Sequence, residues 1–517
     1  MLKRVRGWAE GVNAGRVLAL AFCAAAAIYA YWYSELYIFL FATPFFALGC
    51  RRGKHPAILA ALSLLPATVL VVVSVVKFAL VGVPLVSYDH YFLRKNVAIL
   101  AFNDWHVAAG LVVTAIAMTF YLRALLSGRG AFTRFEQVGV SALVLISVTS
   151  LVNLHGEALA NAWEAEANTP TLRTLVKSAQ VPRPHLQMEM HASTQPTGYV
   201  PSAPTELRPP ADGLPDIFLV LEESTFPPTM LRPDYKAERL FAADGTAGGP
   251  LHVHTFAGGT WRTEFSVTIG MKPQEFGGDG LYVFHQLEGR IKRSLFSELK
   301  KLGYRTMVFY PVPGSFINAS AFYASIGVDE FNDPPSLGVG TGWDWKFPDT
   351  ILYDAMLKKL EGVKEPVVAL VVTINQHGPH DIADPMSDYL TRYQSSDHAY
   401  NAFVAALEKR GRKAGVLAFG DHQPSFTPRF IDNDQERFIT GYEIRCVNFS
   451  CAGDPPTNPK PLDAVMLAPA ALEKFGFGLD SLSSAQREIF SDCEANVDLC
   501  STATRLKFNT AFAAFFD

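Results

Sequence analysis

Three stretches of the 517-residue chain place reactive side chains directly after apolar runs. Asp216 to Leu221 (DIFLVL) runs into Glu222, Glu223 and Ser224. Val367 to Ile374 (VVALVVTI) runs into Asn375, Gln376 and His377, and Gly415 to Phe419 (GVLAF) runs through Gly420 into Asp421 and His422. Continuous apolar runs of this length suit buried parallel strands, and such sheets collect their chemistry where strands end in loops. Two carboxylates and an imidazole converging from separate strand ends can share one divalent cation. Any one of them alone is as readily a helix cap or a surface pair; three strands ending alike favour the cation.

A fourth stretch, GGTWRTEFSV from Gly258 to Val267, adds what a metal cluster needs in order to do chemistry. A threonine hydroxyl holds its proton too tightly to attack at neutral pH, and coordination to a divalent cation favours the alkoxide. Thr260 fits that demand. Gly258 and Gly259 allow close backbone approach, and the threonine opens a predicted helix whose free amides and positive dipole end attract phosphate. The same residues also suit a purely structural role, with Thr260 capping the helix and Glu264 joining an N-terminal charge arrangement.

The elements that must position these side chains are legible from Pro215 onward. Arg305 to Tyr310 (RTMVFY) is a further expected strand, and Phe296 to Leu302, Asp349 to Leu360 and His398 to Arg410 read as helices. Strands alternating with helices predict an α/β sandwich with a mostly parallel sheet.

The first third is different. Apolar runs recur at Val17 to Tyr33, Leu36 to Cys50, Ala57 to Val81, His106 to Leu125 and Val138 to Val152, which predicts five membrane spans within residues 1–154. The basic clusters Lys3/Arg4/Arg6, Arg51/Arg52/Lys54 and Arg123/Arg129/Arg134 all fall on the cytoplasmic side only if there are five crossings. That parity exports everything after about residue 155. Residues 155–214 then read as a juxtamembrane helix and a Pro-rich linker, and 215–517 as the catalytic domain. The net charge of −4, with no long basic block, argues against a nucleic-acid partner. Cys446 with Cys451 and Cys493 with Cys500 are spaced for local disulfides in an oxidising compartment.

GGTWRTEFSVTIGM, GYRTMVFYPVPGSFINASAFYASIGVDEFND, NQHGP and FGDHQPSF, in that order after a five-span anchor, resemble the lipoteichoic acid synthase-like phosphoglycerol transferases of the alkaline phosphatase and sulfatase superfamily. Phosphoethanolamine transferases share that layout. The resemblance implies Thr260 as nucleophile and Glu223, Thr260, Asp421 and His422 as ligands of a Mn²⁺, Mg²⁺ or Zn²⁺ ion, with Glu222 the alternative to Glu223. It implies His377 as a second catalytic residue that contacts the substrate phosphate or assists the leaving group. Arg262 and His380 are added as substrate-binding candidates; a solvated helix-face charge and an ordinary surface-loop histidine are their structural alternatives.

The implied partners are a phospholipid donor, an envelope glycan or lipid acceptor and the bilayer itself. The implied place is the inner (plasma) membrane, with the catalytic domain on the periplasmic or extracellular side. The sequence departs from the Gram-positive synthases where Ile317 and Ala319 replace a tryptophan and an arginine, and where Tyr310 replaces a histidine. Phosphoethanolamine transfer is the nearest alternative. A sulfatase- or phosphatase-type hydrolase and a non-catalytic envelope scaffold are the others; GTWRT lacks the cysteine or serine pattern that a sulfatase modifies.

Overall fold

The protein is described here by a computed structural model, which covers residues 206–235, 247–453 apart from 343, 382, 430 and 432–435, and 461–487 apart from 481 and 485; before these it covers 21–28, 56–81, 84–87, 89–90 and scattered positions between 38 and 175. The chain divides into two compact units, Met1–Pro182 and Arg183–Asp517.

In the first unit, helix α1 (Pro56–Val81) contains a 21-residue stretch, Ile58–Phe78, of mean hydropathy 2.6. At 1.5 Å per residue this spans about 30 Å, the thickness of a bilayer's hydrocarbon core. Leu64, Ala67 and Val71 pack on Ala26, Ile38, Ala42 and Leu172, while Val69, Val72, Val73 and Val76 are left outward and exposed. Among the described residues it is the one helix long and apolar enough to cross a membrane. The other expected spans, Val17 to Tyr33, Leu36 to Cys50, His106 to Leu125 and Val138 to Val152, lie wholly or largely outside the described residues.

The second unit is built on an eight-stranded sheet. In chain order its main elements are β1 (Asp216–Glu222), β2 (Ala247–His252), α2 (Thr260–Ile269), α3 (Leu295–Lys301), β3 (Arg305–Phe309), α4 (Ala319–Ser325), β4 (Glu330–Asn332), α5 (Asp349–Lys359), β5 (Val367–Val372), α6 (Pro385–Arg410), β6 (Ala414–Gly420), β7 (Ile439–Val447), β8 (Leu462–Asp463) and α7 (Leu467–Lys474). The strand order is β4-β3-β5-β1-β6-β7-β2-β8. The first five are parallel, β7 runs antiparallel to both β6 and β2, and β8 is parallel to β2.

β1, β5 and β6 sit in the middle and are buried at every residue, which is why each is an unbroken apolar run rather than an alternating one. Their register aligns Leu221 with Val372 and Phe419, so the three chemistry-bearing loops leave the sheet at the same edge. Gly420 is required there: a Cβ on it would lie 1.7 Å from the Thr225 carbonyl oxygen.

β2 was not among the expected strands, because AGGPLH has two glycines and a proline; its pairing with β7 makes it one. Helix α6 begins at Pro385, not His398. Asp384 caps it by accepting from the Ser387 amide and Pro385 occupies the first turn; its mostly polar first half still buries Tyr389, Leu390 and Tyr393. Cys446 and Cys451 form a disulfide, whereas Cys493 and Cys500 lie outside the described residues.

Candidate active site

β1 ends in two adjacent glutamates, and the strand's alternation sends their carboxyls to different neighbours. Glu222 accepts from Tyr353 Oη at 2.8 Å and Thr373 Oγ1 at 3.3 Å, and its pKa is driven well up by burial and by the Asp349 charge. Glu223 instead faces the ends of β6 and α2. Its Oε1 accepts from Ser224 Oγ at 2.7 Å, and its Oε2 accepts from Thr260 Oγ1 at 2.9 Å.

Asp421 and His422 complete this group. Glu223, Asp421 and His422 are all buried, and one ligand atom from each lies within 4.8 Å of the others. Asp421 Oδ1 accepts from the amides of Ser224 at 2.7 Å and His422 at 2.8 Å, which aims the carboxylate. Its Oδ2 has no hydrogen-bond partner and lies 3.2 Å from His422 Nε2, which has none either. The Gln423 carbonyl, 3.1 Å from His422 Nδ1, places the ring proton there and leaves the Nε2 lone pair facing the carboxylates.

Electrostatics point the same way. Burial raises the Glu223 pKa, but His422, His377 and hydrogen bonds from Ser224 and Thr260 outweigh it and hold the carboxyl below its usual value. Asp421 is driven well up by burial and by the Glu223 charge. Burial lowers the His422 pKa against the pull of Glu223. Two facing carboxylates, an imidazole and two partnerless buried atoms fit a divalent cation, which would relieve the repulsion between the acids.

Thr260 is the first residue of α2, not its cap. The cap position is Gly259 at φ 79°, with no side-chain bond, and Gly258 precedes it at φ 156°. A Cβ on Gly259 would meet Thr255 Oγ1 at 3.0 Å and Arg262 Cδ at 3.3 Å, so this turn needs glycine twice over. The Ala257 amide donates to the Gln423 carbonyl at 2.9 Å and Thr263 Oγ1 to the Asp421 carbonyl at 2.8 Å, tying the turn to the loop after β6. Arg262 lies beside the turn on the same helix.

Glu264 is no N-terminal charge. It is fully buried, it accepts from Tyr310 Oη at 2.9 Å and from Tyr323 Oη, and burial pushes its pKa up to about 8 against those two bonds. Tyr310, the departure from a histidine, thus anchors the underside of α2.

His377 is half-buried, with its Nδ1 donating to the Gly378 carbonyl at 2.6 Å and its ring stacked 4.8 Å from Trp345; Trp345 in turn meets Phe316 edge-on at 5.4 Å. Its carbonyl accepts from Arg392 Nη1 at 2.9 Å. His380 is not a surface histidine: it packs against Phe426 and Tyr389, and burial, then Arg392, lowers its pKa to about 4. Ile317 and Ala319 are 2% and 0% exposed, so these positions are core. Trp261 is held by its bond to the Leu281 carbonyl and by stacking on Tyr282. Sequence reasoning named Ser224 but gave it no role; its hydroxyl and amide serve both acids, and its φ of 51° is invisible in the sequence.

Residues 215–443 match the Sulfatase family model. This segment is a Sulfatase-family domain of the alkaline phosphatase superfamily. That superfamily is metal-dependent and includes phosphotransferases.

The chain is similar to an uncharacterized protein of Haemophilus influenzae, 26% identical over 322 residues that cover 55% of this chain and 56% of that protein. It is also similar to the lipoteichoic acid synthase-like YvgJ of Bacillus subtilis, 26% identical over 33% of this chain and 30% of that one. The match thus spans about half of the first relative's length and less than a third of the second's. Among solved structures it resembles the Streptococcus pyogenes phosphoglycerol transferase GacH in complex with sn-glycerol-1-phosphate, at 15% identity and a TM-score of 0.45, over 59% of this chain and 90% of that one.

Proposed function

We propose that the protein is a membrane-anchored, metal-dependent transferase that moves a phosphoglycerol-type head group from a phospholipid to an envelope glycan or lipid acceptor through a phosphothreonine intermediate. In this reading the catalytic domain lies on the periplasmic or extracellular side of the plasma membrane. The observation that carries the reading is the Thr260 hydroxyl, on the first residue of α2, held 2.9 Å from Glu223 beside the partnerless Asp421 Oδ2 and His422 Nε2. The Bacillus subtilis relative, named as lipoteichoic acid synthase-like, supports an envelope-polymer role of this kind.

The residues that would hold the cation are Glu223, Thr260, Asp421 and His422, and a bound Mn²⁺, Mg²⁺ or Zn²⁺ supplies the charge that lowers the hydroxyl's pKa and neutralises phosphoryl oxygens. Glu223 Oε2 already accepts the Thr260 proton as a hydrogen bond and takes it outright as Oγ1 bonds to phosphorus. The bond from phosphorus to the diacylglycerol oxygen breaks, and His377 gives that oxygen a proton. The free amides at the start of α2 face the phosphoryl oxygens. Trp345, stacked on His377, fixes the plane of the imidazole. In the second half an acceptor hydroxyl gives its proton to His377 and attacks phosphorus, and Thr260 leaves with the proton returned by Glu223.

Intact-mass analysis tests this. The full chain in detergent, incubated with phosphatidylglycerol and Mn²⁺, gains one phosphoglycerol unit; Thr260→Ala gains none, and its turnover falls by at least roughly 10³-fold. No gain with Mn²⁺, Mg²⁺ or Zn²⁺ overturns the transferase reading. A gain from phosphatidylethanolamine alone reassigns the head group.

A further inference from the structure

The segment that leads into the Thr260 turn carries a second group of metal-ligand side chains. We propose that His252, His254 and Asp463 form a zinc site, separate from the Glu223, Asp421 and His422 group, that clamps β2 to β8.

The placement follows from register. His252 and Asp463 are paired positions of the parallel β2–β8 ladder, and His254 lies two residues beyond His252, in the bend just past the end of β2. One nitrogen from each histidine and one carboxylate oxygen lie within 4.8 Å of each other. His254 Nε2 is 2.9 Å from Asp463 Oδ1, and His252 Nδ1 is 3.8 Å from Asp463 Oδ2. Ligand atoms about 2.0–2.1 Å from a tetrahedral zinc sit about 3.3 Å apart, between those two distances.

A His254–Asp463 hydrogen bond and the Val465 amide, which Asp463 Oδ1 caps at 3.1 Å, account for one carboxylate oxygen only. Asp463 is fully buried, yet its Oδ2 has no hydrogen-bond partner, and neither has the buried His252 Nδ1 that faces it. Two orphaned atoms turned toward each other are costly to bury without a shared ligand. The Gln274 amide donates to the His254 carbonyl at 2.8 Å and steadies that ligand from behind.

The choice of ion follows from charge. The buried Lys272 also acts on Asp463, so an arriving cation shares that carboxylate with an ammonium and is held chiefly by the two imidazoles. That donor set suits Zn²⁺ rather than the oxygen-seeking Mg²⁺ or Ca²⁺. Three protein donors leave a fourth position for water.

The full chain in detergent, stripped with a chelator and titrated with Zn²⁺ alone, is read by native mass spectrometry. Wild type takes two ions, His252→Ala takes one, Asp421→Asn keeps one, and the double variant takes none. His252→Ala leaves the His254–Asp463 hydrogen bond in place but removes ring packing on His254 and Phe438, so the metal-free variant still folds at a modestly lower melting temperature, while affinity for the second ion falls at least about tenfold. A single ion on wild type overturns the proposal, as does a second ion that His252→Ala retains.

Discussion

Glu264 is a carboxyl buried without a positive partner, and replacing it by glutamine should make the domain more stable at neutral pH. Burial pushes its folded pKa up to about 8, against an ordinary value of 4.5. The sign follows from linkage: a folded pKa above the unfolded one means that the folded state binds more protons between the two values, so stability is intact below about pH 4.5 and is lost as pH rises toward 8. Between pH 5 and pH 8 the loss is about 3 kcal/mol at 1.36 kcal/mol per unit. Glutamine has nothing to ionise. It accepts from one tyrosine and donates to the other, which matches the protonated acid between Tyr310 and Tyr323. The assay is thermal melting of the chelated full chain, wild type against Glu264→Gln, at pH 5 and pH 8. The variant should gain several degrees on wild type at pH 8 and almost nothing at pH 5. An equal difference at both pH values, or a variant less stable at pH 8, refutes the assignment of a neutral buried acid.

Two further outcomes test the frame around the site. Gly420→Ala should fail to fold or lose its metal-binding group, because the added Cβ has 1.7 Å to the Thr225 carbonyl; a soluble, metal-binding Gly420→Ala protein would show that the loop after β6 can move. Reducing Cys446–Cys451, which are five residues apart in sequence, should lower stability by about 2 kcal/mol, read as a fall in melting temperature that Cys446→Ser reproduces and reduction does not deepen.

The central strands and the candidate site were legible because burial on both faces writes β1, β5 and β6 as unbroken apolar runs, and because reactive groups follow them directly. The strand-end placement of the Glu222–Glu223 pair, Asp421 and His422, the glycines before Thr260 and the Cys446–Cys451 spacing were readable for the same local reason, while Glu223 was preferred to Glu222 only through the family resemblance. Other features depend on partners far away in sequence. The choice of Glu223 over Glu222 at the cluster is a matter of which face of β1 meets α2, since Tyr353 and Thr373 occupy Glu222. Glu264 looks like a helix-surface charge until Tyr310 and Tyr323 close over it. β2 carries no strand signal of its own and exists through β7, and it thereby brings His252 and His254 to Asp463, some 200 residues away. Local pattern fixes what each segment can be; only packing decides which side chains meet, because contact energies between distant residues leave no trace in the spacing of either one.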